Sequence, residues 1–254
     1  MAGIIVELII SWLLLWFISK KHLSVLGFRP TKNRVANLGV GLLIAASCCT
    51  IYQIMPTVLV NNNWTLNKQV TGKGILESSR WALVSVLYEE LIFRGALLYI
   101  AIKKLGVTKA CILSAVCFGV YHWFTFNVFG NPFMMFITFL MTAIVGLSWA
   151  FAFAKTSSLY LPIGLHFGWN LFCMVVFPNG SSGQAIFVRT NENQLQGLLS
   201  WLVFIFQVFA LPLLTFWYLD RLSKKQKLPV DKEQQPLTRV LPIVGLDIEN
   251  NQQR

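Results

Sequence analysis

The sequence predicts an all-α fold: a multi-spanning helical membrane protein with about seven transmembrane helices. Two observations carry that expectation. Hydrophobic residues make up 56% of the 254 and charged residues only 12%, about half the charged share of a typical soluble domain. Apolar runs long enough to cross a bilayer also recur along the chain, separated by short polar stretches. The net charge of +11 does not point to nucleic acid. The basic residues are scattered over short loops, where membrane topology explains them better.

The spans follow in order. The first runs from about Ile4 to Ile18, with Glu7 near its start at the interface. It lacks a basic leader and a small-residue cleavage site, so it reads as a retained span and not a signal peptide. A basic loop follows, with Lys20, Lys21, Arg29, Lys32 and Arg34. The second span covers about Val35 to Val60, with Pro56 near its end, where a kink is tolerated. Asn61 to Gly74 reads as a polar loop. The third span runs from about Ile75 to Ile102, with Glu77 and Arg80 near the headgroups.

Lys103, Lys104 and Lys109 flank a turn at Gly106, and the fourth span covers about Ala110 to Phe129. Asn131-Pro132 turns the chain into a fifth span ending near Ala154. Its Thr138, Thr142, Gly146 and Ser148 are residues suited to close helix contact. The sixth runs from Leu159 to Phe177, with Pro162 in its first turn. Pro178 to Gln196 is a polar loop, and the seventh span covers about Leu195 to Leu219. Residues 1–222 thus form a polytopic membrane domain. Residues 223–254 form a polar tail, read as largely disordered, in which Val240 to Leu246 could dock.

Basic residues set the expected orientation. Loops after spans one, three, five and seven, the last with the tail, hold 5, 3, 1 and 7 lysines and arginines. The other side holds four: Lys68, Lys73, Arg80 and Arg189. That bias places the first set in the cytoplasm, so the N-terminus lies outside and the C-terminus inside a cell membrane. Sequons at Asn63 and Asn179 then fall on the outer side. The five cysteines, Cys48, Cys49, Cys111, Cys117 and Cys173, lie in or beside apolar runs without metal spacing. They read as reduced packing residues.

The chemistry concentrates in three polar sets inside apolar runs. Tyr88-Glu89-Glu90-Leu91-Ile92-Phe93-Arg94-Gly95 puts two carboxylates and a guanidinium in the third span. Ionised groups at bilayer depth are costly and usually mark function. Glu90 and Arg94 are i and i+4 on a helix and can pair. Glu89 lies about 100° around the helix and is free to point elsewhere. His122 closes Phe118-Gly119-Val120-Tyr121-His122, and His166 opens His166-Phe167-Gly168-Trp169-Asn170. Taken singly, each histidine is more readily a hydrogen-bonded packing residue. Three such sets on three spans are harder to explain by packing. Depth agrees for two of them: Glu89 is 13 residues from Ile102 and His122 is 13 beyond Lys109. Both then lie roughly 20 Å from the inner surface, and His166, eight residues past Ser158, roughly 12 Å.

Glu-Glu-x-x-x-Arg, Phe-x-x-x-His and His-x-x-x-Asn, in that order, resemble the CPBP family. These are the CAAX-protease and bacteriocin-processing intramembrane proteases, also called the Abi family. The resemblance covers roughly residues 77–177, with a family-like Leu26-Gly27-Phe28-Arg29-Pro30 near the start. It implies an intramembrane endopeptidase with a site built from Glu89, Glu90, Arg94, His122, His166 and Asn170. It also implies that the first glutamate of its motif, here Glu89, does the chemistry. A carboxylate in apolar surroundings is a suitable base for activating water. His166 and Asn170 then have two options. They help Glu89 and His122 hold a divalent metal such as zinc, or they donate to the oxyanion with no metal present. Asparagine is a poor zinc ligand, which leans Asn170 toward the oxyanion. The expected partners are membrane lipid and a peptide or protein substrate at the membrane. Nothing in the chain reads a prenyl group, so a dedicated prenyl-protein role is not expected. The competing readings are a transporter or proton relay using the same buried groups, or an idle membrane scaffold. Internal repeats and broken helices, which ion-coupled carriers often show, are not evident.

Overall fold

The computed structural model describes residues 2–178, 184–191 and 193–226. The second sequon at Asn179 and the possible docking segment Val240 to Leu246 lie outside the described residues. Helix dominates, in the order α1 (Ala2–Leu14), α2 (Lys32–Val60), α3 (Gly72–Arg94), α4 (Ala96–Leu105), α5 (Val107–Thr125), α6 (Pro132–Thr156), α7 (Tyr160–Leu171) and α8 (Gly197–Gln226). Wider π turns extend α1 through Leu15–Ser19 and α7 through Phe172–Val176.

The helix ends follow from local chemistry. Thr31, Thr71 and Asn131 cap α2, α3 and α6 by accepting a backbone N–H three residues on, from Arg34, Gly74 and Met134. Asn61 and Ser157 close α2 and α6 in the left-handed region, with φ of 55° and 49°. Among the described residues, four helices are long and apolar enough to cross a membrane: α2, α5, α6 and α8. Two shorter apolar helices cover Gly3–Ser19 and Tyr160–Val176. Helix α3 has 23 residues but carries Glu77, Arg80, Glu89, Glu90 and Arg94.

Three sequence expectations need correction. The third span is not one helix from Ile75 to Ile102. It ends at Arg94, and Gly95, at φ −80° and ψ −133°, turns the chain into α4. A Cβ at Gly95 would stand 2.1 Å from the carbonyl oxygen of Leu91, so this bend requires glycine. The uninterrupted rise used to estimate the depth of Glu89 therefore does not apply. Second, the loops after α2 and α7 are not wholly irregular. Trp64–Leu66 (β1) and Phe187–Arg189 (β2) pair antiparallel, with Thr65 opposite Val188. Arg189 Nη2 donates to Gln53 Oε1 at 3.2 Å, and the guanidinium lies over Trp64. Third, α8 runs on to Gln226, past the expected end at Leu219.

The cysteine reading also needs refinement. All five thiols are free, and Cys117 is exposed instead of packed. Cys49 and Cys173 bring their sulfurs to 2.6 Å between α2 and the turn after α7. Glu7, placed at the interface by the sequence, has one carboxylate oxygen shut away from the surface.

Packing places the polar sets. The most extensive helix pair is α2 against α7, followed by α5 against α6, and α3 also packs on α7. Gly164 and Gly168, four apart on α7, make the first contact close. A Cβ at either would stand 2.3 or 2.6 Å from the carbonyl oxygen of Leu38 or Leu42 on α2. Small residues at this spacing are how helices approach in apolar surroundings. His166 lies between them and is held inward on a helix that cannot slide away. Leu161 and Leu165 of α7 pack with Ala45 and Cys48 of α2 and with Phe118 and Trp149 of α5 and α6.

Candidate active site

Glu90 and Arg94, in the last two turns of α3, are fully buried. Arg94 Nη1 donates to Glu90 Oε1 at 3.0 Å, and Nη2 donates to the carbonyl of Gly146 on α6 at 3.2 Å. The guanidinium also lies over aromatic rings, with its carbon 4.1 Å from the centre of Phe118 and 5.3 Å from that of Trp149. Arginine tolerates such a site because its planar, weakly hydrated cation both stacks and forks. The i, i+4 pairing expected from sequence is therefore present.

The same carboxylate oxygen takes a second donor. His166 Nδ1 stands 2.8 Å from Glu90 Oε1, and a carboxylate paired with arginine can only accept. Nδ1 therefore carries the proton, and Nε2 of His166 presents a lone pair in the neutral ring. His122 arrives at the same state by another route. Its Nδ1 lies 2.8 Å from the carbonyl of Phe118, one turn back on α5. A carbonyl likewise only accepts, so Nε2 is again the open nitrogen.

Both open nitrogens face Glu89. Oε2 of Glu89 is 3.9 Å from His122 Nε2 and 3.8 Å from His166 Nε2. Those separations are too long for direct hydrogen bonds. The same oxygen is buried and makes no hydrogen bond. With both rings neutral and Glu89 ionised, three acceptors converge on one small space, an arrangement that suits something bringing protons or positive charge, such as a water.

Aromatic walls fix the two rings. Trp149 stacks on His166 at 4.2 Å between centroids and 25° between planes. Phe118 meets His122 edge-on at 4.4 Å. Phe126, just past the end of α5, also packs against His122, at 5.3 Å between centroids.

Five of the six residues singled out from the sequence therefore come together: Glu89, Glu90, Arg94, His122 and His166. Asn170 is not joined to them by any hydrogen bond. It is half-buried one turn beyond His166 on α7. Sequence reasoning missed Trp149 and the carbonyl of Gly146, because neither an apolar ring nor a backbone oxygen leaves a polar mark in an apolar run. For a divalent ion, the donor chemistry fits. Each ring offers a free Nε2 while its Nδ1–H is tied to an oxygen, as metal-binding histidines usually are. Among the described residues, no three His, Cys, Asp or Glu side chains already stand in an ion-binding arrangement.

Apolar helices long enough to cross a membrane thus enclose a buried glutamate–histidine cluster built from the sequence motifs. Residues 72–172, from the start of α3 to just beyond α7, match the family model described as type II CAAX prenyl endopeptidase, Rce1-like. Over these residues the chain is similar to the CPBP/CAAX proteases. No curated protein and no solved structure matches the chain.

Proposed function

We propose that the protein is an intramembrane endopeptidase that hydrolyses peptide bonds of membrane-associated substrates with a water activated by Glu89. One observation carries the reading: the buried, unpartnered Oε2 of Glu89 faces two imidazole nitrogens at 3.9 and 3.8 Å. A water held among these three acceptors gives a proton to Glu89 as its oxygen bonds to the substrate carbonyl carbon. The carbonyl electron pair moves onto oxygen, and the resulting oxyanion takes a hydrogen bond from the Asn170 carboxamide. When the tetrahedral species collapses, the C–N bond breaks and the proton on Glu89 passes to the leaving amine. His122 orients the water, and His166 is held toward it by Glu90. Arg94 holds Glu90 in place through the bond from Nη1.

Glu89, His122 and His166 are also the residues that would hold a divalent ion such as zinc, which would polarise the water and the substrate carbonyl. Elemental analysis of active protein separates the two forms of the site. About one ion per chain supports the metal form, and well under one supports the metal-free form.

Around this site we place about seven spans in a cell membrane, with the N-terminus outside and the C-terminus inside. The membrane domain covers residues 1–222 and the polar tail 223–254. The charge bias between loops supports the orientation. The substrate class is the largest open choice, and a panel addresses it. Purified protein is given a prenylated C-terminal peptide, a bacteriocin-type leader and a transmembrane peptide. Cleavage of at least one, mapped by mass spectrometry, is the expected result. Intact panels under every condition that keeps the protein folded would end the protease reading.

A further inference from the structure

We propose that the cleft between the end of α1 and α4 binds the phosphate of an anionic phospholipid headgroup. The cleft holds about 270 Å³ and is lined by Ile18, Ser19, Lys21, Tyr99, Ile100, Lys103 and Lys104. It therefore brings three lysines, a serine and a tyrosine together with two apolar isoleucines. None of its lining residues is acidic.

The stretches of chain that form the cleft supply no counter-charge either. Between Glu7 and Glu77, and again between Glu90 and Glu192, there is no aspartate or glutamate. Among the described residues, Lys21, Lys103 and Lys104 make no ion pair. Lys103 instead lies 5.9 Å over the ring of Tyr99. Three like charges gathered at one cleft repel one another, and an anion between them relieves that repulsion. The cleft lies where apolar helices end, and half-exposed Ile18 and buried Ile100 line it together with the lysines. An anion attached to acyl chains suits both halves, and basic pockets between membrane helices recognise headgroups in this way. Inorganic phosphate shares the charge but has no use for the isoleucines.

The test uses the full-length protein in nonionic detergent and phosphatidylglycerol labelled on its acyl chain, with binding read by anisotropy. Saturable binding is expected. The triple variant Lys21→Gln, Lys103→Gln, Lys104→Gln should bind on the order of 100-fold more weakly, since each lysine near an anionic headgroup contributes several-fold. All three side chains are exposed, so the variant should fold. A matched control, Lys32→Gln, Lys109→Gln, Lys155→Gln, removes the same charge elsewhere and should bind within a few-fold of the parent. Phosphatidylcholine should not displace the probe. Equal losses in the two triple variants would mean diffuse surface charge and overturn the site. Displacement by inorganic phosphate as effectively as by unlabelled phosphatidylglycerol would make it a free-phosphate site and overturn the lipid assignment.

Discussion

His166 Nδ1 and Glu90 Oε1 lie 2.8 Å apart, joining α7 to the last turns of α3 across 76 residues of chain. The contact makes Glu90 more than the partner of Arg94. One carboxylate oxygen fixes both the cation below it and the tautomer of the histidine beside it. Glu90→Gln keeps an oxygen there but removes the charge, and its other buried oxygen already lacks a partner. The variant should lower the unfolding temperature and also loosen His166. Cleavage rate and thermal unfolding measured on the same preparation test this, and unchanged values in both would show the link to be idle.

Arg94→Ala should be worse. It strands Glu90 at zero exposure and empties the space against Phe118 and Trp149. Breaking a buried ion pair from one side costs about 3–5 kcal/mol, a large share of a domain's stability. Folded yield and unfolding midpoint in detergent are the measurements. Normal values in both would show that the pair is dispensable.

Glu89→Gln should separate chemistry from folding. It keeps the shape and removes the base, and loss of general-base catalysis alone costs about 10²- to 10⁴-fold in rate. The unfolding midpoint should hold or rise, because the change removes an unpartnered buried oxygen's charge and leaves no hole. Parent-level cleavage by this variant would end the mechanism as drawn, whatever the substrate.

Gly164→Leu probes the seat of His166 from outside the site. The new side chain meets the carbonyl of Leu38 within 2.3 Å at its first carbon, so α7 must part from α2. Activity should fall by at least tenfold even though Gly164 touches no polar residue of the site, an effect of the size a small misplacement of a catalytic group produces. Gly39→Leu on α2, where a Cβ meets nothing within 4 Å, is the control and should leave activity near the parent's. Equal effects at the two positions would argue against the close-contact explanation.

Orientation can be read with reporters. A fusion after Arg254 should report the cytoplasm, and an insertion after exposed Lys68 should report the outside, following the charge bias. Reversed signals would invert the topology and move the lysine cleft to the outer leaflet.

The sequence by itself determined the class of the protein and the identities of its polar residues. Long apolar runs can satisfy their backbone in lipid only as helix, and charge inside such a run is costly enough to stand out. For that reason Glu89, Glu90, Arg94, His122 and His166 were legible, as was the Glu90–Arg94 pair, which is local. What depends on contacts between distant parts of the chain was not. Gly95 looked like one more small residue in an apolar run, because only the packed backbone reveals that a Cβ would strike Leu91. The ribbon of β1 and β2 was invisible, since its strands are three residues each and lie more than a hundred residues apart. The bond from His166 to Glu90, the Trp149 ring beneath His166 and the two Nε2 atoms turned on Glu89 were decided by the tertiary structure alone. Spacing along one helix fixes which residues share a face, but only the seating of one helix on another fixes which atoms meet.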